Sequence, residues 1–303
     1  MQVVIYGGAG FIGTSTAEQF RLAGHEVVIA DKGGRLARNR ASLADFRCLD
    51  VGLEPMDYSA FDALVYLSSA TLPATSMGSL SHDAEVNIAP AVRVMEQACS
   101  QGVKRIIFSS SGGTIYGNSR VSPIDEEQPA RPVSAYGVSK LAIERYLDIL
   151  GATAGIVAVS LRIANPYGAY QFRGTGVGAI AGFMSRLSHA QAIHIWGDGS
   201  IVRDYLHVDD VARAFVDACE APGLKSGQYN VGSGTGISLN DLLAQIFEVA
   251  GKKCDVIYEG AREFDVQSIA LDVRKIQEEL GWRPALDLPA GLRSMWAASK
   301  LFA

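Results

Sequence analysis

The sequence predicts an α/β fold: a doubly wound parallel sheet with helices on both faces and a smaller mixed α/β lobe that closes over it. Three observations carry this expectation. Short β-branched runs alternate with amphipathic stretches through the first half of the chain, and a glycine-rich turn, Gly7-Gly-Ala-Gly10-Phe-Ile-Gly13, follows the first run. From about Asn165 the alternation loosens into Gly-rich segments. Apolar runs of strand length separated by helical patterns mark strands buried on both faces, because the crossover helices cover the sheet on each side.

Taken in order, strands are expected at Val3 to Tyr6, Glu26 to Ala30, Phe46 to Leu49, Ala63 to Leu67, Arg105 to Ser109 and Ile156 to Leu161. Helical patterns fall between them at Thr14 to Ala23, Val86 to Cys99 and Ala142 to Leu150, with Pro90 expected to kink the second. A further strand and helix near Tyr205 to Ala218 are expected to return to the sheet. His207 to Asp210 reads as the cap of that helix, because Asp is a favoured N-cap residue. Residues 1–165, with a returning segment near 203–233, would form a dinucleotide-binding domain of the Rossmann type, and 166–303 mainly a lid over the carboxyl ends of the strands, where ligands of such sheets lie.

Composition narrows the function classes. Of 303 residues, 48% are hydrophobic and 19% charged, an ordinary globular balance. A net charge of −5, with no basic cluster denser than Arg35 to Arg40, argues against a nucleic-acid surface, although a substrate's phosphates need only two or three local cations. No 18-residue apolar run exists to span a membrane, and the first strand begins almost at Met1, leaving no room for a signal peptide. Cys48, Cys99, Cys219 and Cys254 are scattered, without metal-ligand spacing or a disulfide framework, which points to a reducing cytoplasm and no metal site.

The glycine turn is the most legible site. Gly7, Gly10 and Gly13 keep the backbone tight, so a pyrophosphate can approach the N-terminus of the following helix, where unpaired amides and the helix dipole favour negative charge, with Phe11 and Ile12 of the turn beside it. Asp31 follows 18 residues after Gly13, at the end of the second strand, where an acid accepts both adenosine ribose hydroxyls and repels a 2′-phosphate. The expected cofactor is therefore NAD, with Lys32, Arg35 and Arg38 leaving NADP open. Asp50 and Val51, closing the third strand, line the adenine or simply end the strand. Leu67, Ser68 and Ser69 after the fourth strand, and Ser109 ending the fifth, stand at the same edge of the sheet.

About 130 residues downstream lies Tyr136-Gly-Val-Ser-Lys140. Residues four apart stand one turn above each other on a helix, so the Lys140 ammonium can sit beside the Tyr136 phenol. A positive neighbour favours phenolate and draws the tyrosine toward service as a general base.

These blocks, with Ser109-Ser-Ser-Gly-Gly-Thr-Ile-Tyr-Gly117, Leu161-Arg-Ile-Ala-Asn-Pro-Tyr-Gly168, Gly197-Asp-Gly-Ser-Ile-Val-Arg-Asp-Tyr-Leu-His-Val-Asp-Asp210 and Arg262-Glu-Phe-Asp265, resemble the extended short-chain dehydrogenase/reductase family across nearly the whole chain, and within it the nucleotide-sugar epimerases of the UDP-galactose 4-epimerase type. The resemblance implies a tightly held NAD, oxidation of a sugar 4-hydroxyl through Tyr136 and Lys140, and return of the hydride to the opposite face. It also implies that Asn165 and Tyr205 meet the substrate, that Arg203 and Arg262 clamp its diphosphate, and that Asp265 receives the nucleotide ribose, with an ordinary Arg262–Asp265 surface pair as the alternative. Asn87 would steady backbone near the nicotinamide or satisfy the helix beside Pro90. The substrate would be a nucleotide-diphosphate sugar carrying UDP or dTDP. A homodimer is implied through the helices around Val86 to Cys99 and Tyr136 to Leu150, by apolar faces that include Val92, Met95, Leu141, Ile143 and Leu147.

Two departures stand out. The position four before Tyr116, where relatives carry a catalytic hydroxyl, holds Gly112, so Ser111 or Thr114 would replace it, with Thr114 preferred because a one-residue shift in extended chain reverses the facing side. Thr71 stands near where many relatives have a lysine. Gly113 and Thr114 occupy the Asp-Glu positions of the related dehydratases, which disfavours water elimination. An epimerase is thus expected, with a single-turnover 4-keto-sugar reductase and a non-catalytic NAD-binding sensor as alternatives. Gly112 and the small residues from Gly174 to Gly182 suggest room for a deoxy or N-acetylated sugar.

Overall fold

A computed structural model of the chain describes residues 1–32, 45–48, 56–119, 121–173, 178–261 and 266–300. Arg35, Arg38, Asp50, Val51, residues 174–177, Arg262 and Asp265 lie outside the described residues.

The first half alternates as its sequence requires: β1 (Gln2–Tyr6), α1 (Phe11–Leu22), β2 (Glu26–Asp31), β3 (Asp45–Cys48), β4 (Ala63–Tyr66), α2 (Leu80–Ser100), β5 (Arg105–Ser111), α3 (Ala135–Ala154) and β6 (Val157–Ile163). Beyond it come β7 (Asn165–Tyr167), α4 (Ala179–Ser188), β8 (Ile193–Trp196), β9 (Val202–His207), α5 (Val208–Glu220), β10 (Gly227–Val231), β11 (Gly236–Ser238), α6 (Leu239–Ala250), β12 (Val256–Glu259), α7 (Arg274–Leu280) and α8 (Leu288–Ser299). Helices α2 and α3 begin several residues before their apolar periodicity does, because Ser79 and Ser134 cap them by accepting from the amides of His82 and Gly137. Helix α2 continues through Pro90 to Ser100.

Seven strands form one sheet in the order β3-β2-β1-β4-β5-β6-β10, every neighbouring pair parallel. Alternate residues of β1 face opposite cores. Val3 and Ile5 join Phe20, Leu206, Phe215 and Trp282 on one side, while Val4 and Tyr6 join Met95, Phe108, Ile143 and Leu147 on the other. Strand order reverses between β1 and β4, and that is where the carboxyl ends part to leave a crevice.

Two expectations are corrected here. The strand around Tyr205 does not return to the large sheet: β9 pairs with β7 and β11 in a three-stranded sheet, and β10 is the strand that completes the large one. Helix α5 packs on α1, capped by His207 Nδ1, which accepts from the Asp209 amide at 3.3 Å. Met95, Ile143 and Leu147, expected on an outward apolar face, are buried against the sheet; the outward apolar side chains of α2 and α3 are Leu80, Val138, Tyr146 and Ile149.

The smaller lobe has its own core of Tyr167, Met184, Ile195, Tyr205, Leu242, Leu292 and Trp296. It is not detached from the sheet. Residues 270–272 cross beneath the turn after β5, where Ile124 N donates to Ala270 O at 2.8 Å and Asp272 N to Ile124 O at 2.8 Å. No helix among the described residues is long and apolar enough to cross a membrane, and no cluster of their His, Cys, Asp or Glu side chains is arranged to hold a metal ion.

Candidate active site

The crevice opens on the glycine turn. Gly7 has φ +76°, and a Cβ there would lie 2.7 Å from the Ser68 amide nitrogen, so the turn after β1 touches the loop after β4 through bare backbone. A Cβ on Gly13 would sit 2.3 Å from the Gly7 carbonyl oxygen, which leaves glycine as the residue that lets α1 start this close to the turn. Gly10 caps α1 with no side-chain acceptor, so the first amides of the helix point into the crevice. Asp31, ending β2, accepts from the Ala9 amide at 3.0 Å and is thereby tied to the same turn; Lys32 follows on the surface.

A cavity of about 730 Å³ runs from this cradle across the sheet edge. It is lined by Gly7, Gly10, Phe11, Ile12 and Gly13, by Leu67 and Ser69, by Ser109, Ser111 and Thr114, by Tyr136 and Lys140, and by Asn165, Arg203 and Tyr205. The structure therefore brings together residues that are nearly 200 positions apart. Ser68 meets the cradle through its backbone, against Gly7.

Helix α3 presents the Tyr–Lys pair to the cavity. Lys140 is 4% exposed, and its Nζ donates to the Ser109 carbonyl at 2.8 Å while lying 4.9 Å from the Phe108 ring centre and 5.4 Å from that of Tyr136. Burial pulls the ammonium down to about 8, opposed by the negative charges of Glu144 and then Asp83. Burial also pushes the Tyr136 phenol up to about 12, with Asp83 adding to the rise. A second positive charge in the cavity would bring the phenol down.

Gly112 is explained by its surroundings. A Cβ there would meet Leu271 Cδ1 at 2.5 Å and the Arg162 carbonyl oxygen at 3.0 Å, so this position looks away from Tyr136. Ser111, ending β5, and Thr114, one short turn on, face the cavity instead. Thr114 Oγ1 is buried without a hydrogen-bond partner among the described residues, an orphaned donor at a site built for a ligand.

Two buried polar clusters flank Lys140 on α3, and of their members the sequence singles out Asn87 and Thr71 without linking them to either acid. Asp83 accepts from Thr71 Oγ1 and Ser139 Oγ at 2.5 Å each and from Asn87 Nδ2 at 3.2 Å, and Asn87 Oδ1 accepts from the Ala70 amide at 2.9 Å. Thr71 therefore faces this cluster. On the other side, Glu144 takes Arg162 in a fork, Nε at 3.0 Å and Nη2 at 2.8 Å, and accepts from Ser110 Oγ at 2.6 Å. Arg162 also donates to Tyr116 Oη at 3.0 Å, which donates to Asn230 Oδ1 at 2.7 Å. The only sequence signal for the first cluster was the four-residue spacing of Asp83 and Asn87 on one helix face.

The opposite wall is built on the small sheet. Asn165 of β7 and Tyr205 of β9 are register partners, and Arg203 stands two residues before Tyr205 on the same face. Burial pushes the Tyr205 phenol up to about 12 against the pull of Arg203. Leu72, Met77, Val133 and Ile180 give this part of the cavity an apolar lining. A cradle that excludes side chains, a basic wall and a buried Tyr–Lys pair together suit hydride and proton transfer on a substrate carrying phosphates.

The sequence matches the model of the NAD dependent epimerase/dehydratase family over residues 3–232. A UDP-glucose 4-epimerase from Thermotoga maritima, solved with UDP-glucose, is 33% identical with a TM-score of 0.93, the alignment covering 99% of each chain. Another, from Thermus thermophilus in complex with NAD, is 30% identical with a TM-score of 0.90 and the same coverage. A UDP-glucose 4-epimerase from Mycolicibacterium smegmatis is 30% identical over 302 residues, 96% of each chain.

Proposed function

The chain belongs to the NAD dependent epimerase/dehydratase family, and on that premise we propose that it is a nucleotide-sugar 4-epimerase interconverting UDP-glucose and UDP-galactose with NAD. The observation that carries this reading is the Tyr136–Lys140 pair, set in one cavity with the glycine cradle and Arg203. The cradle fits a dinucleotide because Gly7 and Gly13 stand where any Cβ would collide with backbone. We assign NAD to Gly7, Gly10, Phe11, Ile12, Gly13, Asp31, Leu67, Ser69, Ser109, Tyr136 and Lys140, and the cofactor domain to residues 1–165 with α5 and β10.

Bound NAD supplies a hydride acceptor and, when oxidised, a positive charge. Tyr136 then removes the proton of the sugar 4-hydroxyl as C4 loses its hydride, with Thr114 or Ser111 bridging the phenol and the sugar oxygen. Lys140, protonated and held on the Ser109 carbonyl, stabilises the phenolate. With the 4-keto sugar turned over within the cavity, Tyr136 would give the proton back to the C4 oxygen. Arg203 and Arg262 hold the diphosphate through the swing, because guanidinium forks pair with phosphate oxygens bidentately, while Asn165, Tyr205 and Asp265 contact the rest of the nucleotide sugar. The protein would work in the cytoplasm as a homodimer joined through Tyr146 and Ile149 of α3 and Leu80 of α2, apolar side chains left outside the core.

Denaturing the purified protein and measuring the released nucleotide tests this, together with conversion of UDP-galactose without added cofactor. Stoichiometric NAD with conversion is expected. Empty protein that oxidises a nicotinamide cofactor against a 4-keto sugar would replace the epimerase with a reductase, and NAD-loaded protein that converts no nucleotide sugar would leave a sensor.

A further inference from the structure

Asp83 lies in the first turn of α2, 1% exposed, and all the donors it meets are neutral: the hydroxyls of Thr71 and Ser139 and the amide of Asn87. These donors come from three separate places. Thr71 belongs to the loop after β4, whose Leu67, Ser69 and Leu72 line the cavity; Ser139 immediately precedes Lys140; Asn87 lies one turn along α2 and holds the same loop through the Ala70 amide. Neutral donors solvate a carboxylate without cancelling its charge, so its field extends to the neighbouring Tyr–Lys pair.

We propose that Asp83 is a positioning residue of the reaction, clamping the cavity loop Leu67–Leu72 onto the helical turn that carries Tyr136 and Lys140 and setting that pair against a fixed buried negative charge. The role is stated for the epimerase reading above and rests on it.

The titratable groups that feel this charge are Tyr136 and Lys140 on α3, and Glu144, one turn further on the same helix, acts on Lys140 as well. Glu144 is already forked by Arg162. Asp83 raises Tyr136 and raises Lys140, after the larger effects of burial on both and of Glu144 on the lysine. Removing the charge lowers both. Turnover needs the tyrosine deprotonated and the lysine protonated, so both limbs of the pH profile should move toward acid together, whereas a purely structural loss would lower the plateau and leave the limbs in place.

The test is Asp83→Asn in the intact, NAD-loaded protein, read by the pH dependence of kcat/KM for UDP-galactose and by an NMR titration of the Tyr136 ring. The expected result is an acid shift of both limbs by about one unit, matched by the Tyr136 titration. Unmoved limbs with an unmoved Tyr136 overturn the proposal. If the unaltered protein converts no UDP-sugar, the epimerase reading fails, but the tyrosine titration still decides whether Asp83 sets its charge state. Ser139→Ala keeps the carboxylate and removes one tie, and it serves if Asp83→Asn does not fold. It should lower kcat about three- to tenfold with the limbs and KM unchanged, and an unchanged kcat would overturn the clamp.

Discussion

The two buried acids on either side of Lys140 are satisfied in opposite ways. Glu144 is forked by a guanidinium that itself reaches Tyr116 on β5's following turn, so charge is matched by charge and the cluster ties α3, β5 and β6 into one block. Asp83 is held by hydroxyls and an amide, so its hydrogen bonds are made while its charge is left standing. The first arrangement suits a scaffold. The second suits a place where charge must be felt a few ångströms away, and the phenol of Tyr136 feels Asp83. Both acids raise the neighbouring Lys140, Glu144 more than Asp83, but Asp83 is the one that also raises the Tyr136 phenol.

The largest expected effect leaves both clusters intact. Tyr136→Phe should lower turnover by about two to four powers of ten without moving the unfolding midpoint; comparison of steady-state rates and urea melts checks both, and near-normal turnover would break the mechanism. Arg162→Met attacks the scaffold cluster and leaves Glu144 buried with Ser110 as its remaining donor. It should cost about 3–5 kcal/mol of stability in urea unfolding, the scale for a buried pair broken on one side. A loss below about 1 kcal/mol would show that Glu144 is not held as an ion.

Thr114→Val removes an orphaned hydroxyl, so the melting temperature should hold or rise while kcat falls about ten- to a hundredfold. Ser111→Ala should stay within about threefold, and the reverse ranking would make Ser111 the bridging hydroxyl. A further effect is titrational. Burial holds Lys140 near 8 without cofactor and the positive charge of oxidised NAD would lower it further, so turnover should decline with rising pH from that value or below it as the ammonium is lost, about tenfold per unit at the limit. The sign for stability is opposite. Because the folded lysine gives up its proton before the unfolded one, this group's contribution to stability rises between about pH 8 and 10.5, a trend that denaturant melts of cofactor-free protein in that window would register.

The parts of the site that are local in sequence were legible. Buried parallel strands show as apolar runs, the cradle needs glycines within seven positions, and the Tyr–Lys pair needs one helical turn. Gly112 could be flagged as a departure, but its reason lies in Leu271, which no local pattern connects to it. The Asp83 cluster escaped for the same cause, since Thr71 and Ser139 look like ordinary loop and helix polar residues until the fold delivers them. Arg162 and Glu144 sit at positions where β6 and α3 face the sheet, so apolar periodicity left no place for them. Strand β9 was expected in the large sheet because its burial pattern suits either sheet, and pairing partners are not written in a strand's own residues.

The crossing of residues 270–272 beneath the catalytic turn limits how this protein can be cut and recombined. The side chain of Leu271 fills the space that Gly112 leaves, and Asn230 of the last sheet strand donates to the Asp272 carbonyl. A fragment ending after β10 would retain every strand of the large sheet and lose the floor of its own active site. Substrate lobes exchanged between relatives would therefore have to carry this short segment with them, matched in volume to the residue at position 112, and a graft made at the apparent lobe boundary alone would disturb chemistry that belongs to the other half.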